Sequence, residues 1–339
     1  MQLNARGITR MSFKRIIGHE QIIAMLQKGV EGNSLPNAYI FSGPEGVGKM
    51  LTALALAMTI QCLDPARDGC GSCPSCLKIA SGNHPDLMII DKGEEKIKIE
   101  DIRECRAWLS YKPYGEKRIV IVNQAETITT QAGNAFLKTL EEPPENTLII
   151  MVTTNLHSLL PTIISRCRIV RFNRLSYSDV ENIAIKEYNL GEKEAAAIAS
   201  LSNGSINPNA FAVGGGKLAM ERELSLNLLK ESLSGNLEYI LTATAPLVSD
   251  RGKLSVCLDF ISNIIRDIAL IVSGESDKIV SNRDIIDSLS EMSDRVSLKW
   301  AVAAFDMVKE AKQALNRNAN SRLLLEELLI GIRYAAKRG

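Results

Sequence analysis

At 339 residues the chain is longer than one ordinary hydrophobic core, so two or three domains are expected. Its 45% hydrophobic and 23% charged residues are those of a globular protein and exclude a disordered one. Lys and Arg total 40 against 39 Asp and Glu, a net charge of +1, which argues against a chain that grips nucleic acid alone but leaves room for DNA contact shared among subunits.

The first eleven residues carry scattered charges and no apolar run, so no secretory signal is expected there. No stretch approaches the ~18 apolar residues that span a bilayer, and a cytoplasmic protein with no membrane partner is expected. Short apolar runs at 38–42, 87–90, 118–122, 148–152 and 169–172 read as buried strands. Amphipathic stretches at 21–29, 51–62, 99–110 and 131–141 lie between them, and Pro143-Pro144 stops the last. Strands alternating with helices predict a parallel sheet covered on both faces. From Ser176 onward the strands disappear. Helices are predicted at 179–188 and 192–201, then beyond a Gly214-Gly215-Gly216 linker at 224–233, 254–272, 298–315 and 321–336. The expected division is an α/β core at 1–172, a small helical unit at 173–213 and an all-α domain at 217–339.

Gly43-Pro44-Glu45-Gly46-Val47-Gly48-Lys49 follows one predicted strand and opens a helix, the setting in which G-x-x-x-x-G-K binds phosphate. Gly43, Gly46 and Gly48 let backbone N–H groups close around phosphates, Lys49 reaches the outer ones, and the helix N-terminus favours the anion. The bland alternative is a glycine-rich turn with no ligand. The next position should carry the Ser or Thr hydroxyl that binds Mg²⁺, but it is Met50. Thr52 is turned away by about 200° along the helix. The predicted strand 118–122 runs into Asn123-Gln124 where an acidic pair would complete the metal site. Glu126 is either a displaced base or a solvated carboxylate. Hydrolysis is therefore expected to be weak or absent and Mg²⁺ is not expected, while ATP or ADP binding through Lys49 stays possible.

Seven cysteines include four within fifteen residues. Cys62, Cys70, Cys73 and Cys76 offer the four thiolates of a closed tetrahedral Zn²⁺ site, with Gly69, Gly71 and Pro74 suited to its tight turns. A redox pair or free thiols are the alternatives. Cys105, Cys167 and Cys257 read as small buried residues.

Asn134-Ala135-Phe136-Leu137-Lys138-Thr139-Leu140-Glu141-Glu142-Pro143-Pro144, with Ser165-Arg166-Cys167 downstream, resembles the bacterial clamp-loader AAA+ subunits of DNA polymerase III. Ile17-Gly18-His19, Leu35-Pro36-Asn37-Ala38-Tyr39 and the cysteine knuckle at 62–76 fit the same family. The likeness covers residues 12–172 in motif detail and the remainder only in character; the delta-prime branch fits first and gamma/tau second. The resemblance implies an AAA+ P-loop core, a lid at 173–213 and a collar at 217–339 through which five subunits form a ring. It implies gamma/tau and delta subunits as partners, and the sliding clamp and primer-template DNA through the assembly. Arg166 takes the place of the arginine that completes a neighbour's ATP site; its bland reading is an arginine at a helix C-terminus. Thr153-Thr154-Asn155 resembles the polar sensor of the outer phosphate, with Thr154 the expected contact. Gly204-Ser205-Ile206-Asn207-Pro208-Asn209 lacks the arginine of active relatives. A non-hydrolysing subunit lending Arg166 to a neighbour is the expected function. An ATP-hydrolysing gamma/tau-type subunit and an AAA+ adaptor outside replication are the alternatives.

Overall fold

The structure, a computed structural model, describes residues 12–64, 69–93, 95–206, 215–248, 250–275, 280–317 and 319–338. Two compact units divide the chain, Met1–Leu175 and Ser176–Gly339.

The first unit is built on five parallel strands, β1 (Ala38–Ser42), β2 (Leu87–Ile90), β3 (Arg118–Val122), β4 (Thr147–Thr153) and β5 (Arg168–Arg171), in the order β2-β3-β4-β1-β5. β3 and β4 are buried along their whole length, as the unbroken Ile/Val/Leu runs of central parallel strands require. Successive side chains alternate between faces. Tyr39, Phe41, Ile119, Ile121, Ile150 and Val152 meet the helix Lys49–Gln61 on one face. Ile40, Val120, Val122, Ile149 and Met151 share the other with residues of the helices Ile99–Leu109 and Thr130–Glu141. Every residue from Thr52 to Gln61 is buried, because that helix is apolar all round. The expected fold class, a P-loop α/β core with helices on both faces followed by all-α structure, is the one observed.

Polar groups brace the opposite end of this sheet. Asp86, fully buried just before β2, accepts the backbone N–H groups of Tyr114 (3.0 Å) and Gly115 (2.7 Å). Its own N–H donates to His84 Nδ1 (3.1 Å), and His84 Nε2 meets Ser75 Oγ (3.0 Å) on a short helix, Pro74–Ala80. That helix lies in the cysteine segment and was not among the expected elements; at seven residues it is too short to show a period.

The second unit is helical. Tyr177–Tyr188 and Glu192–Ser202 lie with Gly215–Ser234, Arg251–Val272, Leu298–Asn316 and Ser321–Arg338 in one compact body, joined by shorter helices at Leu237–Ala243, Ala245–Val248 and Ile286–Ser293. The expected lid at 173–213 and collar at 217–339 thus contribute to a single unit from Ser176 on, where Asn263 Nδ2 donates to Ser200 O (2.8 Å). The linker expected at Gly214–Gly216 is corrected in part: a helix starts at Gly215, and Gly214 lies outside the described residues. The helix that Gly215 and Gly216 open packs on neighbouring helices through its later residues, which offsets the poor helix propensity of two glycines. Arg222, 6% exposed, donates two hydrogen bonds to Asp284 (2.7 Å each) and two to Asn282, fixing the segment that leads into Ile286–Ser293.

Replacing Asp86 by Ala strips two backbone N–H groups of their acceptor. An Asp86→Ala chain is expected to lose about 2–3 kcal/mol of stability, read as a lowered urea midpoint at unchanged slope; an unchanged midpoint refutes the brace.

Candidate functional site

The C-terminal ends of parallel strands converge on one edge of the sheet, where open α/β folds place their ligands. β1 runs directly into Gly43–Lys49. Parallel pairing sets Ser42 opposite Thr153, and Gly43 N–H donates to Thr153 O (3.3 Å), so Thr154 lies beside the loop. A Cβ on Gly43 would stand 2.3 Å from the Phe172 carbonyl oxygen, which makes glycine obligatory there. Gly46 and Gly48 adopt left-handed backbone, φ 71° and 96°. Lys49 is 6% exposed, and its ammonium donates to the carbonyl oxygens of Gly43 (2.7 Å) and Pro44. Burial lowers the Lys49 pKa, while the carboxylates of Glu126 and Glu45 oppose that shift.

The groups expected to be missing from a magnesium site are accounted for by contacts. Thr52 is buried and its hydroxyl donates back to Gly48 O (2.9 Å) within its own helix. Asn123, just past β3, donates through Nδ2 to Asp91 Oδ2 (3.0 Å) at the end of β2. Asp91 escaped the sequence reading; its only signal was that it directly follows a strand, as Asn123 does. Glu126 is half-buried and its carboxylate is held by hydrogen bonds. Its Oε1 accepts the Thr154 hydroxyl (2.6 Å) and the Thr154 N–H (3.3 Å), while Oε2 is buried with no hydrogen-bond partner. Burial raises the Glu126 pKa, but bonds from Thr154, its own backbone and Thr153 outweigh it and hold the carboxyl below its ordinary range.

Arg166 follows the short helix Pro161–Ile164 and is exposed. It donates to Thr162 O (2.9 Å), the contact of its bland reading, and pairs with Glu141 (2.6 Å) at the end of Thr130–Glu141.

The four cysteines come together. The sulfurs of Cys62, Cys70, Cys73 and Cys76 all lie within 4.8 Å of one another, and none is in a disulfide. A tetrahedron with bonds of about 2.3 Å needs sulfurs about 3.8 Å apart, so the cluster has the size of a zinc site. Backbone N–H groups of Cys70, Cys73 and Cys76 donate to the sulfurs of Cys62, Cys70 and Cys73, each at 3.4 Å. The Ser72 hydroxyl and neighbouring N–H groups bring the Cys70 thiol down to about 6, and burial pushes Cys76 up. Cys105 and Cys257 are buried, as expected, whereas Cys167 is only partly buried.

Residues 18–176 match the family described as DNA polymerase III, delta subunit, and residues 221–333 match DNA polymerase III, delta subunit, C terminal. The chain is 28% identical over 317 residues to DNA polymerase III subunit delta' of Bacillus subtilis, covering 91% of this chain and 94% of that one. It is 30% identical over 277 residues to DNA polymerase III subunit gamma of Buchnera aphidicola, covering 78% of this chain and 75% of that one. The chain belongs to the clamp-loader subunits of DNA polymerase III.

Within that family it is delta-prime-like, the match to subunit delta' running through nearly the whole of both chains. The tau/gamma subunit of Haemophilus influenzae, 32% identical over 245 residues, is longer, and this chain spans 35% of it. Among solved structures, the Bacillus subtilis DNA clamp loader delta protein is 12% identical with a TM-score of 0.39, over 92% of this chain and 99% of that one. No helix among the described residues of this clamp-loader subunit is long and apolar enough to cross a membrane. The lid segment splits at the limit of description: Gly204–Ile206 are described, and Asn207, Pro208 and Asn209 lie outside the described residues.

His84 ties the knuckle helix to the sheet as a neutral ring, because its Nδ1 accepts a hydrogen bond. Burial lowers its pKa, with Lys78 acting the same way and Asp86 opposing. A depressed histidine contributes stability above its unfolded value, about 6.5, and the contribution is lost as pH falls through that window toward the folded value. Denaturation between about pH 7.5 and about pH 5.5 is therefore expected to show a steeper loss of stability in the native chain than in His84→Gln. Parallel pH profiles would remove His84 from the account.

Proposed function

We propose that this clamp-loader subunit turns over little or no ATP itself and lends Arg166 to the ATP site of a neighbouring gamma/tau subunit. Sliding-clamp loading onto primer-template DNA, with gamma/tau and delta as ring partners in the cytoplasm, is the setting. The observation that carries the reading is the state of its own phosphate edge. Met50 follows Lys49, Thr52 is tied to Gly48, Asn123 is tied to Asp91, and Glu126 is engaged by Thr154. Among the described residues, Met50 and Asn123 stand where the hydroxyl and the strand-end carboxylate that position a metal ion and a water would be. Gly43, Gly46, Gly48, Lys49 and Thr154 would hold ATP or ADP if nucleotide enters. The left-handed glycines fit that task and the Lys49 ammonium supplies the cation. Arg166 supports the donated role because it is exposed and its partner Glu141 is itself half exposed. Such a surface pair is worth about 0–1 kcal/mol, so a neighbour's phosphate can replace the carboxylate at little cost and place the guanidinium where phosphoryl oxygens gain charge.

Cys62, Cys70, Cys73 and Cys76 would hold Zn²⁺, which cross-links the segment when bound. Four ligands leave no open position, so the knuckle's task is structural: to hold the Pro74–Ala80 helix that Ser75 links to His84.

Two experiments test these assignments. Reconstituted with matched gamma/tau and delta subunits, clamp and primed DNA, the Arg166→Ala chain is expected to assemble but to lose turnover at the site it completes, by about a thousandfold or more at that site, read as a loss of DNA-stimulated hydrolysis. Robust hydrolysis by the isolated chain, abolished by Lys49→Ala, would overturn the reading. Metal analysis of purified protein is expected to give about one zinc per chain; four titratable thiols with no metal sink the knuckle assignment.

A further inference from the structure

Glu126 is a carboxylate that the fold holds beside the strand-end residue next to the phosphate loop. β3 ends at Val122, and Gln124, at a left-handed φ of 49°, turns the chain so that Ala125–Thr127 forms a tight turn beside the end of β4. Thr127 N–H donates to Gln124 O (2.8 Å) and Ile128 N–H to Ala125 O (3.1 Å), while Ile97 bridges to Ile128. The turn is thus fixed on both sides. From it Glu126 takes both donors of Thr154, the residue placed beside Gly43 by the pairing of β1 with β4. Those two donors, a hydroxyl and a backbone N–H, are what a phosphate-reading residue has to offer.

We propose that Glu126 is an intramolecular stand-in for the outer phosphate of a nucleotide: its carboxylate engages Thr154 beside the loop and keeps a free nucleotide's outer phosphates weakly bound. The 2.6 Å contact is a charge-assisted bond, strong for its kind. Oε2 is buried without a hydrogen-bond partner, a cost that packing of the turn alone does not explain. Of the two carboxylates acting on the Lys49 ammonium, Glu126 exerts the larger effect and Glu45 the smaller. An incoming terminal phosphate that needs the Thr154 donors finds them occupied by a fixed negative charge, and juxtaposed like charges repel. The subunit therefore holds Thr154 in an anion-engaged arrangement, with Lys49 bonded to its own loop carbonyls, whether or not nucleotide is present. This inference rests on reading Gly43–Lys49 as a phosphate loop and Thr154 as its strand-end contact.

The test is calorimetric titration of the full-length chain with ATP, and with inorganic tripolyphosphate as a base-free probe. Glu126→Gln keeps the shape and removes the charge; Glu126→Ala removes both. Each is expected to bind ATP and tripolyphosphate about tenfold or more tighter than the native chain, and adding Lys49→Met is expected to abolish the gain. A Glu126 that merely braces the turn would lower the melting temperature on substitution and leave affinity where it was. Folded Glu126→Gln protein with native affinity overturns the proposal, and that variant decides the matter should Glu126→Ala fail to fold. Failure here leaves the Arg166 assignment standing, since that is read from turnover in the assembled ring.

Discussion

Parallel pairing of β1 with β4, in the register that sets Ser42 against Thr153, is the constraint on which the phosphate edge depends. It carries Gly43 to the Thr153 carbonyl and brings Thr154 alongside the loop, while pairing of β3 with β4 delivers Asn123, Gln124 and Glu126 to the same edge. A slip of one residue would exchange the side chains of the two faces and spoil their fit against the covering helices. With both faces buried under helices, neither strand can slip, so a register chosen by packing also fixes the positions of the polar residues beyond the strand ends.

The two cations singled out by the chain's motifs live under opposite conditions. Lys49 is buried against its own loop carbonyls, in the field of Glu126, so moving it means breaking bonds in a poorly solvated place. Arg166 is exposed and its bond to Glu141 lies at the surface. Of the two, Arg166 is the more readily exchanged. That contrast is why the donated role is proposed for Arg166, while Lys49 is bound into its own loop.

A second polar system works at the far end of the sheet. The cysteine cluster, Ser75, His84 and Asp86 form a continuous path from the knuckle to the start of β2 and onward to the Tyr114–Gly115 backbone. Each polar atom on that path finds a partner, which is the condition for burying such groups without loss of stability. The knuckle is thus attached to the core through a defined set of bonds rather than through apolar packing alone.

Residue order alone determined the parallel α/β core, its five strands, the positions of the long helices and the cysteine cluster, because period, strand-length apolar runs and ligand spacing are local properties. It also exposed what the phosphate loop lacks, since Met50 and Asn123 occupy fixed offsets from Lys49 and from a strand end. Short helices such as Pro74–Ala80 and Ile286–Ser293 escaped it, being too short to show a period, and Gly215 reads as linker until its helix is seen packed. The grouping of the lid helices with those beyond them, the tie between Asn123 and Asp91, and the hold of Glu126 on Thr154 were decided only by tertiary structure. In the two side-chain contacts the partners stand 32 and 28 residues apart, and no local pattern encodes a meeting that the sheet's strand order creates.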